Sequence, residues 1–519
     1  MRKKSLICKI KDSLSPGKIL SLPAMAVLGL MLASCAQDGF DDEEKWQSSV
    51  MNTQLETPKV DDIKIAASPD ETKTIISWPV VHGAGGYICS LLDVSDPENP
   101  VPVDGMNGKL IDGCSITLTR EEDVKYRFTI KTAGNEKLNN TEAETTSVKD
   151  FSTFTPTYRT IPEGTDLYQW FTDNPVPQGD EADAIKAELY DGMGIAPEEI
   201  TNQMLNYDLI PGGEYTLSQT LDFLGSKVVL RSSKKTEFSK LKLIGDGTSF
   251  KTYTSFGLKY LDIDCSDTYK PLVELSATPD ESIKGATGKG DFYNILGTIM
   301  LSGCNVKGVN GNLIFDGNKK YCLRTLMINN CKIQLTSSSL TNISGNAVIY
   351  FGKGYVNDLT VQNSTFWNTG ETDAKYFIKY DNSGRPDRAG HENGSVRHKN
   401  CTFYNVARLG GNGQWANYDG MVNWQNTFEM TNCIFVDCAK DIARRFIKNY
   451  STKPTYQFAY NTYLQDMATG TFDSNATTYD RSGSIITSIP DFADPANGDF
   501  TLTSSEQAEK RTGDPRWLP

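Results

Sequence analysis

A four-residue pattern that returns once every thirty-odd residues constrains this chain more than any other feature. Asn400-Cys401-Thr402-Phe403 is its clearest copy, with Asn330-Cys331-Lys332-Ile333, Asn363-Ser364-Thr365-Phe366 and Asn432-Cys433-Ile434-Phe435 around it. Asn461-Thr462-Tyr463-Leu464 is a looser copy, Gly303-Cys304-Asn305-Val306 carries Gly in the Asn place, and Asp264-Cys265-Ser266 reads as an earlier degraded one. The Asn-to-Asn steps are 33, 37, 32 and 29 residues. A strand motif repeated at about 20–50 residues signals a solenoid, because each unit buries its apolar face only by stacking on its neighbours. The position two after the Cys slot is apolar throughout (Val306, Ile333, Phe366, Phe403, Phe435, Leu464), which places it inside the stack. Asn suits the tight turn before it, and stacked amides can bond along the axis. The motif therefore reads as scaffold rather than active site.

Two strands recur in each unit. One leads into the Asn: Leu326–Ile328, Leu359–Val361 and Phe428–Met430. The other lies further on: Leu313–Phe315, Val348–Phe351, Tyr376–Tyr380 and Arg445–Lys448. Cys304, Cys331, Cys401 and Cys433 share one repeat position and read as reduced core residues. Cys89 and Cys114 are left open as a pair.

Residues 1–34 read as a signal peptide. A leader with six bases precedes Ile19–Leu32, an apolar run of 14 residues, shorter than the roughly 20 needed to span a bilayer. It ends in Leu32-Ala33-Ser34-Cys35, which resembles a bacterial lipobox with Cys35 as the lipidated residue. The acidic stretch Asp38–Glu44, within a linker at 35–56, resembles the surface-export tag of lipoproteins from the Bacteroides group. The resemblance implies an outer-membrane lipoprotein displayed on the cell surface. Removing the leader leaves 46 bases against 64 acids, a net charge of −18. Such a chain has no general attraction for nucleic acid, so an anionic partner needs a local basic patch.

From 57 to 155 the pattern is short alternating strands. Trp78, the Gly86-Tyr87 entry into a strand and Tyr126 resemble a fibronectin type III module. Residues 156–205 form a linker containing a helix at 180–190, with an acidic first turn and Gly192 as its stop. Ile210-Pro211-Gly212-Gly213-Glu214-Tyr215 then opens residues 206–519, and this string resembles the first coils of a pectate-lyase-like parallel β-helix. In that fold a short helix closes the open end, and 490–517 would supply the other cap. The predicted fold is therefore all-β: a fibronectin type III-like sandwich followed by a right-handed parallel β-helix solenoid.

Chemistry concentrates beside the motif. Lys375, Lys379, Arg385, Arg388, Arg397, Lys399 and Arg408 face only Asp381, Asp387 and Glu392. A second group, Lys440, Arg444, Arg445, Lys448 and Lys453, faces only Asp441. Arg suits uronate carboxylates because its planar fork bonds them bidentately. Trp367, Tyr376, Tyr380, Trp415, Tyr418 and Trp424 stand nearby as candidate sugar platforms. The expected binding set is Arg397, His391, Arg444, Arg445, Trp415 and Tyr418, and the expected partner an acidic, pectin-like polysaccharide. Arg385-Pro386-Asp387-Arg388-Ala389-Gly390-His391 resembles the Arg/Pro/Arg/Gly string of pectate lyases, one residue short. That resemblance implies β-elimination, with Arg385 or Arg388 as base and Lys379, Arg397 or His391 assisting. It admits calcium, for which Asp373, Asp381, Asp387 and Asp419 are the carboxylates at hand. No motif demands a resident metal, and His82, His391 and His398 are the only histidines.

Overall fold

The computed structural model describes residues 50–519, apart from 68–72, 96–97, 104, 120, 122, 192–196, 288–289, 382–392, 419 and 422–424. The chain is all-β with few helices, and it divides into two compact units, one ending at Thr155 and one beginning at Pro156. Cys35 and the leader lie outside the described residues.

The first unit pairs a three-stranded sheet (Lys64–Ala67, Lys73–Ser77, Ser115–Thr119) with a five-stranded one built on Tyr87–Asp93 and Lys125–Thr132. All of its strand pairs are antiparallel. The alternation in Lys125–Thr132 sends Tyr126, Phe128 and Ile130 inward. Phe128 stacks on Trp78 at 5.6 Å between ring centroids, and Tyr87 meets Trp78 edge-on. Cys89 and Cys114 are not joined by a disulfide.

The second unit is made of three long sheets that the chain visits in rotation. From Leu205–Leu209 it passes to Glu214–Leu217 in the second sheet and Leu221–Asp222 in the third, then returns to the first at Val228–Ser232. Apart from two short antiparallel additions, Lys284–Thr287 on Gly290–Ser302 and Thr471–Phe472 on Thr462–Asp466, the strands pair in parallel from one circuit to the next. The apolar core runs through the middle of all three faces. At one end, the helices Leu167–Asp173 and Gly179–Leu189 bring Leu167, Phe171, Ile185 and Leu189 against that core, so the closure engages one helix more than the sequence indicated.

The repeated motif is itself the second-face strand. Asn330, Asn363, Asn400 and Asn432 all have positive φ and turn the chain from the first face to the second. Their amides form a ladder: Asn432 Nδ2 donates to Asn400 Oδ1 (3.1 Å), and Asn400 Nδ2 to Asn363 Oδ1 (3.0 Å). Asn363 then donates to Asn329 rather than Asn330, whose Oδ1 accepts from Arg516. Inside, Phe366, Phe403, Phe435 and Tyr463 stack at 5.5, 5.0 and 5.7 Å with nearly parallel planes.

Strand register corrects two motif assignments. Phe435 pairs with Tyr463, so Tyr460 holds the Asn slot, Asn461 the Cys slot and Tyr463 the interior position. Ile263 pairs with Val306, so the earliest copy begins at Tyr260, and Cys265 lies outside it. Arg445–Lys448 is also not a strand. Ile442–Ile447 is a helix standing in the third-face position, burying Ile442, Ala443, Phe446 and Ile447. It packs on the last third-face strand, Gln414–Asn417, and on the short helix Ala476–Tyr479, which together close the far end. The segment from 490 is therefore not an end cap. It crosses the outside of the second face, where Phe492, Phe500, Leu502 and Trp517 cover Trp367, Ile434 and Val436. Asp514 accepts from the Thr365 hydroxyl, and Trp517 Nε1 donates to the same oxygen.

Candidate functional site

The third face carries an outward column that lies outside the main apolar cluster. Register aligns Asp222, Lys251, Glu274, Phe315, Tyr350, Lys379 and Asn417 on successive circuits. Its first half is self-neutralising: Lys251 pairs with Glu274 at 3.2 Å, and Asp222 accepts from Ser276. Its second half is aromatic and basic. Phe315 and Tyr350 stack at 5.7 Å with planes 9° apart, and the Lys379 amine lies 5.1 Å over Tyr350 and 5.8 Å over Tyr376. Cation–π contacts of this kind contribute roughly 0.5–1 kcal/mol where exposed and more where water is excluded. Lys375 sits 5.4 Å over the other residue of this group, Tyr376. Asp381 ties the cluster together, accepting from Tyr350 Oη (2.9 Å) and pairing with Lys379 (3.2 Å). Burial, and then the bond to Asp381, hold the Tyr350 phenol above its ordinary pKa, so it stays a donor.

Two circuits further along the same face comes the helix Ile442–Ile447. Lys440 bridges to Gln414 at its start, and Arg444 pairs with Asp441 (3.5 Å) and donates to Asn449. Arg444 and Arg445 are half-buried on the helix. The third face thus brings Lys379 and the Arg444–Arg445 pair to one side of the stack, as two separate levels.

Other expected residues fall elsewhere. Arg397 belongs to the first face, where Arg397 and Lys399 both reach Glu429, at 3.3 and 3.4 Å. It shares no face with Lys379. Trp415 and Tyr418 are not sugar platforms, since both are fully buried. Trp415 stacks on Phe377 at 4.7 Å, meets Phe403 and Phe435 edge-on, and donates Nε1–H to His398 Nε2. Tyr418 donates to the Phe446 carbonyl. Trp367 and Tyr380 are buried as well, leaving Tyr376 half-buried. The causes differ: Tyr380, Trp415 and Tyr418 lie in the interior, whereas Trp367 points outward beside the interior Phe366 and is covered by Phe500 and Trp517. His398 was not a site candidate, and it too is interior. Burial pushes its pKa down to about 3, so it is a neutral core acceptor.

Arg385, Arg388, His391, Asp387, Asp419 and Trp424 lie outside the described residues. Of the two remaining carboxylates offered to calcium, Asp373 is buried at the corner between the second and third faces, accepting from the Arg408 backbone N–H. Asp381 stands at the other end of the intervening strand Tyr376–Tyr380, already engaged. The described residues therefore do not bring these two carboxylates into one ligand set. Sequence reasoning missed Phe315 and Tyr350, because only register shows that their column leads to Lys379.

Three family models match in succession, each a domain of unknown function: DUF4992 over residues 17–193, DUF4957 over 213–369 and DUF5123 over 396–517. The interval between the second and third, 370–395, is the stretch that carries Lys375, Lys379 and Asp381. No curated protein matches the chain.

Proposed function

We propose that this chain is a surface lipoprotein, anchored in an outer membrane through Cys35, that binds an acidic, pectin-like polysaccharide. In this reading the first unit is a fibronectin type III-like spacer. The second is a right-handed parallel β-helix of the pectate-lyase type, whose third face presents the binding surface. Among the described residues no helix is long and apolar enough to cross a membrane, which accords with a lipid tether. The observation that carries the binding proposal is the placement of Lys379, fixed over Tyr350 and Tyr376 on the same face as Arg444 and Arg445. A fixed cation loses little side-chain entropy on meeting a carboxylate, and the local charge opposes that of a strongly acidic chain. Trp415 and Tyr418 have no part in it.

Migration in native gels cast with polygalacturonate tests the proposal. The wild type is expected to be retarded in polygalacturonate and not in a neutral glucan. Lys379→Ala combined with Arg444→Ala is expected to abolish most of the retardation. Unchanged retardation of that double variant refutes the third-face assignment. New ultraviolet absorbance from unsaturated uronide ends, released from the same polymer, would instead identify a lyase.

A further inference from the structure

The Cys slot of the repeat holds thiols that meet in pairs. Asn305 pairs with Lys332 and Thr402 with Ile434, which sets Cys304 directly beside Cys331 and Cys401 directly beside Cys433 on adjacent circuits. Backbone bonds lock both registers: Lys332 N donates to Cys304 O (2.9 Å) and Ile434 N to Cys401 O (2.8 Å). Neighbouring parallel strands lie about 4.8 Å apart, inside the roughly 4.4–6.8 Å between Cα atoms that a disulfide accepts. Ser364 occupies the slot on the intervening circuit, between Lys332↔Thr365 and Thr365↔Thr402. Cys331 and Cys401 are thus two circuits apart, beyond bonding reach. The slot permits two disulfides and no others.

Each thiol is wholly buried and free. Each donates to the carbonyl two residues earlier: Cys304 to Ser302, Cys331 to Asn329, Cys401 to Lys399 and Cys433 to Thr431. The Ser364 hydroxyl does the same toward Gln362. The scaffold therefore accepts either a hydroxyl or a thiol in this slot, and packing alone does not require cysteine at four of the five positions from 304 to 433.

We propose that Cys304–Cys331 and Cys401–Cys433 are redox-poised staples that bond successive circuits when the chain folds in the presence of a small-molecule disulfide. The thiolate of one cysteine attacks the small disulfide and releases one small thiol. The second cysteine then displaces the other half from the mixed disulfide. Each staple consumes two protein S–H groups and one small disulfide, and yields one protein S–S bond and two small thiols. Bonding takes place before the circuits close, because the folded thiols are inaccessible. The staples leave the third face untouched.

The full chain, refolded with oxidised or with reduced glutathione, gives the test. Intact mass after denaturing alkylation is expected to show the oxidised form short of two alkyl groups per staple, with peptides linked 304–331 and 401–433. The oxidised form is also expected to unfold at higher urea concentration than the reduced form. Cys304→Ser with Cys401→Ser, which places at both sites the side chain that Ser364 already supplies, is expected to fold normally and lose that difference. Four alkylatable slot cysteines after oxidative refolding, or linkages between other cysteines in the stack, overturn the proposal. So does an oxidative shift in the urea midpoint that survives in the serine variant.

Discussion

Asn400 offers the sharpest test of why the motif repeats. Its backbone is left-handed (φ +52°), and its side chain makes two ladder bonds, one given to Asn363 and one taken from Asn432. Asn400→Ala removes both bonds, at roughly 0.5–1.5 kcal/mol each, and leaves the β-carbon in the left-handed region without the polar side chain that lets Asn tolerate it, a penalty of up to about 1–2 kcal/mol. The expected loss is about 3 kcal/mol. Asn400→Gly removes the same bonds without the steric cost, but adds about 0.5–1 kcal/mol of chain entropy, so its expected loss is about 2 kcal/mol. Gly303 holds the equivalent place with φ +65°, so the turn is known to accept glycine. Tyr460 provides the converse arm. It occupies the same slot with φ +51° and is 44% exposed, so its ring contributes little packing. Tyr460→Asn should extend the ladder by one amide and stabilise the chain by about 1 kcal/mol. Equilibrium urea unfolding, followed by far-ultraviolet circular dichroism, ranks the three variants, provided the slope with denaturant stays constant. A glycine variant no more stable than alanine, together with a Tyr460→Asn protein no more stable than wild type, would show that neither backbone hand nor the ladder governs this corner.

Further expectations follow from the core and the buried carboxylates. Phe403→Ala removes the ring that stacks on both Phe366 and Phe435, and should cost about 3–5 kcal/mol in the same urea assay, with Phe403→Leu clearly milder. Asp316 is wholly buried and accepts from the backbone N–H groups of Asn318, Lys353 and Gly354; burial nonetheless raises its pKa to about 6. A carboxyl whose folded pKa exceeds its unfolded value stabilises the fold fully below the unfolded value, and that stability is lost as pH rises toward 6. The shift of about two units corresponds to about 3 kcal/mol. Wild type is therefore expected to lose melting temperature between pH 4 and 6, and Asp316→Asn to flatten that decline; an unchanged slope would exclude Asp316 as its source. Removal of residues 487–519 should uncover Trp367 and shift tryptophan emission to the red, and an unshifted spectrum would mean that this segment does not shield it.

Much of the fold was legible because the repeat imposes one side chain on one place many times over. Three phenylalanines two residues past the Cys slot announced an interior stack, and the stack is there. The two misread copies failed for one reason. Tyr460 and Tyr260 hold the turn without an amide, so the alignment slid by one residue at Asn461 and by four at Asp264-Cys265, and only the strand partners of Tyr463 and Ile263 restore it. The helix Ile442–Ile447 had a signal that went unread: apolar residues at 442, 443, 446 and 447 follow helical spacing, whereas a strand would alternate. The second-face strands escaped as strands because they are short, down to the three residues of Thr402–Tyr404. The path of the last thirty residues was not legible, since what they cover is the outward column of another element, and no local pattern in either segment names its partner.

The candidate site divides along the same line. Basic residues and aromatic residues crowd together between 367 and 424, and in one dimension that crowding reads as a sugar-binding surface. In a three-faced stack the crowding has two causes. The interior between the three sheets is filled with aromatic rings, which takes Trp415, Tyr418 and Tyr380 inward. Charges cannot enter that core unpaired, so Lys379 must be outward wherever its strand is paired. Proximity in sequence therefore carries less information here than distance along a column. Tyr350 is 29 residues before Lys379 yet lies beside it, while Trp415, close to the basic run, faces the opposite way. A functional surface on such a scaffold is read by stepping one circuit at a time along the outward column, and on this chain that step leads from Phe315 through Tyr350 to Lys379.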